Sequence, residues 1–432
     1  MAALGTFGQM ISARPEGEQA ETPSSQSSFP PHFLWGAATA AHQVEGNDIN
    51  SDLWLLEHLP KSMFKEPWGD ACDEYHLYED DIAMLADLGF NAYRFSLTWA
   101  RIEPTKGEFS RAELKHYRRV LEACHRHRII PLVTFLHVTA PQWFAYEGGW
   151  QSPESIERFA LYCEQSAQYL GDLIGWAATF NEPNLLKLLS WIRLPSGQRL
   201  TDVMTESQAQ VRQQLKAEKF STFLGGSPDT MQQNMLRAHE KGKAAIKSAY
   251  PKLPVGLTLA MEDDQPAGEG SRFEKKRKEV YGPWLELARQ DDFLGVQTYT
   301  RQRIGNADAN LPPPKDAELT QSGYEFYPEA LEHTIRYASQ QTGVPVIVTE
   351  NGIATDNDAR RLEYIQRAVQ GVKRCLADKI DVRGYLYWSL LDNFEWVSGY
   401  SQQFGLVAVD RTTQRRTIKP SATYLGKFAR GS

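Results

Sequence analysis

Cysteine is scarce in this chain: four residues in 432, at positions 72, 124, 163 and 375, with no Cys-x-x-Cys pair. Such scattered spacing supports neither a disulfide framework nor the usual zinc knuckles. Three of the four fall within helical patterns, so all are expected as free core thiols in a reducing compartment. No apolar run is long enough to cross a bilayer, and no Asn-x-Ser/Thr acceptor occurs. A concentrated basic face is also missing. The formal charge of −7 gives no electrostatic case for nucleic acid or an anionic membrane as partner. The densest basic run, 272–278, is interleaved with Glu274 and reads as a solvated helix face. His125 and His127 stand two apart, which points them to different helix faces, so no metal site is expected there, and His76 reads as a packed or hydrogen-bonded side chain. Residues 1–28 are rich in Ser, Pro, Gln and Glu, and their apolar opening is too short for a signal peptide. They are expected to be a disordered tail, and the expected location is the cytoplasm.

Aromatic residues, by contrast, are plentiful: 11 Trp, 18 Tyr and 19 Phe in a chain that is 41 % hydrophobic and 23 % charged. A large core is assured, and the surplus suits a cleft that stacks on ring-shaped ligands. Short apolar runs at 33–38, 91–97, 130–137, 176–182, 254–260, 293–300, 345–350 and 384–390 alternate with helix-like sequence. The first helices are predicted at 74–88, 112–126 and 153–170, the first ending on Gly89, a usual C-cap residue. Gln43 and Glu45 are placed on the loop after the first strand. About eight strand-plus-helix units predict a single-domain (β/α)8 barrel over 29–432 with elongated loops at the C-terminal face. A doubly wound open sheet is the runner-up. Closure is favoured because Gln43, Arg94, His137, Glu182, Tyr299, Glu350 and Trp388 sit at the ends of most strands, and only a barrel brings them together. Two segments, 185–235 and 262–280, exceed ordinary loop length and are expected to shape the mouth. Residues 311–314, with three consecutive prolines, read as a rigid spacer within a loop.

The stretch Val346, Ile347, Val348, Thr349, Glu350 is an apolar run that stops on a carboxylate, and Trp176 to Glu182 does the same. Two acids at strand tips can face each other across a barrel mouth. Retaining glycoside hydrolysis needs this pair, one carboxyl protonating the leaving oxygen and the other attacking the anomeric carbon from about 5 to 5.5 Å. Arg94, an odd guest in a buried strand, must face a carboxylate or the mouth. Arg94 and Tyr299 are expected beside Glu350, marking it as nucleophile, while Glu182 is kept protonated by apolar neighbours and by the charge of Glu350. Asn181 offers an amide to a sugar hydroxyl, and Pro183 is expected to hold Glu182 in an extended backbone.

Beyond these residues, the chain resembles glycoside hydrolase family 1, the retaining β-glucosidase family, over nearly everything from Phe29 to Phe428. The motifs are FLWGAATAAHQVEG at 33–46, YRFS at 93–96, TFNEP at 179–183, TENG at 349–352 and YWSLLDNFEW at 387–396. The resemblance implies that Glu182 is the acid/base and Glu350 the nucleophile. It further implies that Gln43, His137, Asn181, Glu395 and Trp396 bind the hydroxyls of the terminal sugar, with Trp388 as the platform under its ring. A carboxylate at Glu395 implies a neutral sugar rather than a phosphorylated one. No cofactor or metal is implied, the partners are small β-glycosides or oligosaccharides, and homo-oligomer formation is left open. Three departures stand out. Val138-Thr139 replace the usual Trp-Asp after His137; Gln297-Thr298 precede Tyr299 where Asn-Tyr is usual; and 185–235 replaces the usual Gly-rich loop. Trp191, Phe220 and Phe223 are candidates for lining the leaving-group site, and Trp35, Trp99 and Trp143 fall between cleft and core. The expected activity is that of a β-glucosidase. Alternatives are a β-galactosidase, β-fucosidase or transglycosylase of the same fold, a non-catalytic glycan-binding barrel, and a proton-abstracting barrel enzyme.

Overall fold

The computed structural model describes residues 29–60 and 62–431; the expected disordered tail lies outside them. Its strands are β1 (Leu34–Ala38), β2 (Ala92–Ser96), β3 (Ile130–Leu136), β4 (Trp176–Asn181), β5 (Val255–Ala260), β6 (Asp263–Pro266), β7 (Leu294–Gln297), β8 (Arg301–Ile304), β9 (Val346–Glu350), β10 (Val382–Trp388), β11 (Val407–Val409) and β12 (Arg416–Ile418). Eight of them close a barrel in the order β1-β10-β9-β7-β5-β4-β3-β2. Every pairing around the barrel is parallel, and β1 closes it by pairing with both β2 and β10. The predicted (β/α)8 architecture is therefore the one observed. Two small sheets, β6-β8 and β11-β12, lie outside it; neither is predicted by the sequence patterns.

Strands buried on both faces need apolar residues in continuous runs rather than in alternation. One face packs on the helices through the main core, which includes Trp35, Phe135, Phe180 and Tyr385. The other points inward, where Leu34, Ala92, Leu132, Ala178, Phe293, Ile347 and Leu386 plug the barrel interior. The mouth above that plug is thus left to polar strand tips. Helices run at Glu74–Leu88, Arg111–Arg126 and Ser155–Leu170, close to their predicted limits. Gly89 ends the first with φ +100°, and Ser110 caps the second by accepting from Glu113 N. All four cysteines are buried and free.

Two expectations need correction. Gln43 lies on a helical turn, Ala41–Val44, with Glu45 as its C-cap, rather than on a loop, and both are buried. The 272–278 run is not wholly solvated. Lys276, on the helix Phe273–Val280, has a fully buried side chain whose Nζ reaches Asp264 Oδ1 at 2.6 Å and Glu262 Oε2 at 2.5 Å. The acids of the β5–β6 segment compensate an ammonium that water would otherwise have to solvate.

Where β1 meets β2 the backbones approach so closely that a Cβ on Gly36 would fall 2.1 Å from Ala92 O. Gly36→Ala should lower the unfolding free energy by about 1–3 kcal/mol through overpacking. Urea denaturation checks this; an unchanged midpoint would show that the strands have slack.

Candidate active site

All the predicted site residues except Arg94 line one cavity of about 490 Å3 at the C-terminal end of the barrel. Arg94 lies beneath it, on β2, with no exposed surface. Its guanidinium reaches across the barrel: Nη1 donates to Glu350 Oε1 at 2.5 Å, Nη2 to Asn181 Oδ1 at 2.5 Å, and Nε to Thr134 Oγ1 at 3.2 Å. Glu350 is the last residue of β9, and its second oxygen accepts from Tyr299 OH at 2.6 Å. Burial and the charge of Glu350 hold the Tyr299 phenol far above its ordinary range, so it remains a donor.

Glu182 follows β4 directly, and here the extended expectation fails: its φ is +48°. The chain must turn out of the strand while Glu182 N still donates to Thr258 O at 2.8 Å and Glu182 O accepts from Leu185 N at 2.9 Å. Those bonds overcome the preference that Pro183 imposes. Val138 and Trp396 also have left-handed φ, +67° and +50°. Such a φ is rare for a β-branched residue, and among the described residues no barrel strand contains one.

Burial raises the Glu182 carboxyl first and the negative charge of Glu350 raises it further, to about 8, against the opposing Arg94 charge and a hydrogen bond from Gln297. The last contact, Gln297 Nε2 to Glu182 Oε1 at 3.1 Å, was not anticipated. Its only trace in the sequence is an amide at the tip of β7 in place of the usual Asn. Gln297 pairs in register with Glu350, which places it between the two acids.

The rest of the wall is a column of rings. His137 stacks between Trp388 at 5.9 Å and Trp396 at 6.1 Å, and His42 follows between Trp396 at 5.8 Å and Trp68 at 4.0 Å. Burial and the Arg94 charge push His137 well below its ordinary pKa, so the ring is neutral. His42 bonds Glu57 Oε1 at 3.0 Å through Nε2, and Glu57 Oε2 accepts from Trp68 N at 3.1 Å. This His42–Glu57 pair supports the column and was missed, because the two residues are isolated in the sequence. Gln43 donates to Phe394 O at 2.7 Å. Glu395 is raised far above the carboxylate range, chiefly by burial.

Buried polar atoms are normally paired. Gln43 Oε1, His137 Nδ1, Gln297 Oε1 and Glu395 Oε1 are buried without a partner in the protein. All four residues line the cavity, so the site presents a ring of unsatisfied hydrogen-bonding groups beside an indole face. That surface complements a pyranose, with its apolar C–H face and circle of hydroxyls.

Several candidates fall elsewhere. Trp191, Phe220 and Phe223 are buried in the main core and do not line the cavity; Leu185, Leu188, Leu189, Leu200 and Met204 of the same segment do. Their long aromatic rings fill the space under the segment instead. Trp35 and Trp99 are core residues, and Trp143 is half-buried against the core with its Nε1 on Glu103 O. His125 bonds Leu173 O and His76 bonds Asp73. Among the described residues no group of three or more His, Cys, Asp or Glu side chains could share a metal ion.

Among solved structures, the chain is similar to a β-glucosidase designated 1317, with 46 % identity, TM-score 0.89, and coverage of 92 % of this chain and 98 % of that one. It is similar also to the β-glycosidase BGL167, with 49 % identity, TM-score 0.88, and coverage of 93 % and 97 %. Among curated relatives, a bifunctional β-D-glucosidase/β-D-fucosidase of Bifidobacterium breve is 29 % identical over 93 % of this chain and 98 % of its own length. The family model for glycosyl hydrolase family 1 matches residues 25–285 and 284–431. With its barrel, its paired strand-tip acids and a family match over nearly its whole length, the chain belongs to glycosyl hydrolase family 1.

Proposed function

We propose that the chain is a retaining β-glucosidase that removes terminal β-D-glucosyl residues by double displacement. The observation that carries this is the opposite treatment of two acids in one cavity. Glu350 is gripped by a guanidinium and a phenol, both donors to a carboxylate, whereas Glu182 is held protonated at neutral pH. Glu182 therefore delivers its proton to the glycosidic oxygen as Glu350 attacks the anomeric carbon, and the C–O bond to the leaving group breaks. A covalent glycosyl-enzyme results. The Glu182 carboxylate then takes a proton from water, which displaces Glu350 with overall retention.

Other residues bind rather than react. Asn181 has its carbonyl engaged by Arg94, which fixes the amide so that its NH2 group is free to meet a sugar hydroxyl. Gln43, His137, Glu395 and Trp396 bind further hydroxyls, over the Trp388 face. Glucosides and fucosides are the expected substrates, the second because a relative carries both names. The proposal extends to a cytoplasmic location, supported by four free, buried thiols, and to a lack of need for any cofactor.

Glu350→Gly should abolish turnover of nitrophenyl β-glucoside while azide restores it as the α-glucosyl azide, seen by NMR. Restoration as the β-azide would assign the nucleophile elsewhere. Glu182→Ala should cost about 10²–10⁴-fold in kcat/KM on cellobiose and far less on dinitrophenyl β-glucoside, whose leaving group needs no proton; equal losses would remove Glu182 as the acid. In wild type, kcat/KM should fall as pH rises through the Glu182 pKa, near 8, because the acid form is consumed. Gln297 donates to the anion and favours it, so Gln297→Leu should move that alkaline limb to higher pH. A limb that stays in place would mean the amide does not act on Glu182.

A further inference from the structure

We propose that the outer part of the cavity is a leaving-group site for rigid, largely apolar ring systems rather than for a second sugar. This rests on the β-glucosidase assignment and specifies its substrate class. Polar contacts to the glucosyl ring come from strand tips, from Gln43 on its helical turn and from the segment around Glu395. The segment that leaves β4 supplies something different. Helix Leu185–Leu189 turns Leu185, Leu188 and Leu189 to the cavity, and helix Leu200–Leu215 adds Leu200 and Met204.

The second helix has little structural reason to carry those residues where they are. Thr201 is its one buried residue, and Leu189, Leu200 and Met204 belong to no core cluster. They are half-buried and face the cavity. Leu53, Leu56 and Phe64, from the segment after β1, three strands round the barrel from β4, add further apolar lining to the same cavity. An apolar lining of this extent is matched by a fused-ring group, which buries much carbon surface at little conformational cost.

Against these leucines a sugar would lose water from its hydroxyls and gain few partners, since Thr300, Ser322, Tyr324, Ser398 and Gln402 line the cavity from other segments. Glu262, which also lines the cavity, is already bound by the buried Lys276 Nζ at 2.5 Å. Helix Leu200–Leu215 offers two polar groups, Ser207 and Gln208. Gln208 Nε2 donates to Thr222 Oγ1 at 3.3 Å, and its Oε1 is buried without a partner. It suits a single hydroxyl on an otherwise apolar ring system.

The test compares three substrates. β-Glucosyl fluoride has a leaving group too small to reach that lining and reads the glycosidase activity alone. Cellobiose and the β-glucoside of the aliphatic hydroxyl of estradiol both expel an alcohol, so leaving-group acidity does not favour the steroid. Wild type should hydrolyse the fluoride, and should show a kcat/KM for the steroid glucoside about tenfold or more above that for cellobiose. The double variant Leu189→Asn, Met204→Asn should keep fluoride turnover and lose about tenfold on the steroid glucoside, mostly through KM. No fluoride turnover in wild type would overturn the β-glucosidase assignment itself. Fluoride turnover with cellobiose preferred, or with a variant whose steroid kinetics are unchanged, would overturn the leaving-group site alone. Free estradiol should also inhibit wild type more strongly than the variant, a readout independent of turnover.

Discussion

The Arg94 guanidinium is the constraint on which the rest of the site depends. A buried cation is tolerated only where partners surround it, and this one is met from four other strands. Thr134 lies on β3, Asn181 on β4, Thr258 on β5, and Glu350 with the Thr349 carbonyl on β9. No open sheet could bring those strands within reach of one side chain. The charge thereby ties the closure of the barrel to the position of a reactive carboxylate, and a rigid planar fork does so better than a flexible ammonium could. Its contribution is one of specificity more than of stability, since apolar residues would fill the same space without a desolvation cost.

From that anchor the two acids of one cavity are treated differently. Glu182 is raised first by removal from water and then by the charge of Glu350, whereas Glu350 takes two strong donors, Arg94 and Tyr299. Arg94 touches Glu350 directly and reaches Glu182 only through space, and the negative charge it fixes on Glu350 raises its neighbour. One strand tip serves both. Gln297 ends β7 and Tyr299 stands two residues further on, and each meets one acid. A single amide and a single hydroxyl thus contact the two acids from one strand end.

Much of this was legible in the sequence. Barrel strands announce themselves as apolar runs because both faces are covered, and Glu182, Glu350 and Arg94 stand out as charges that such runs have no packing reason to hold. Other parts were hidden because they depend on register and on tertiary compensation. Gln297 shows as a departure from a family motif, and only its pairing with Glu350 reveals that it reaches Glu182. Lys276 looks solvated in a run of like residues, since the two acids that permit its burial lie twelve and fourteen positions away. The left-handed backbone at Glu182 runs against a local rule that is sound in isolation. It yields to a hydrogen bond from the neighbouring strand, which no local window contains.

The same division separates the two ends of the substrate. Asn181, Glu182, Gln297 and Glu350 sit at strand tips, around the polar network of Arg94. A change there disturbs several strands at once. The leaving-group end is built on helices that depart from the mouth, and the helix Leu200–Leu215 is held through Thr201, Val211 and Leu215, not through the residues that line the cavity. Its side chains can change with little cost to the barrel. Family membership therefore carries the glycosyl chemistry to this chain, whereas the choice of leaving group must be read from its own walls. Here those walls are leucine and methionine, so the part of the molecule least constrained by folding is the part that sets what the enzyme releases.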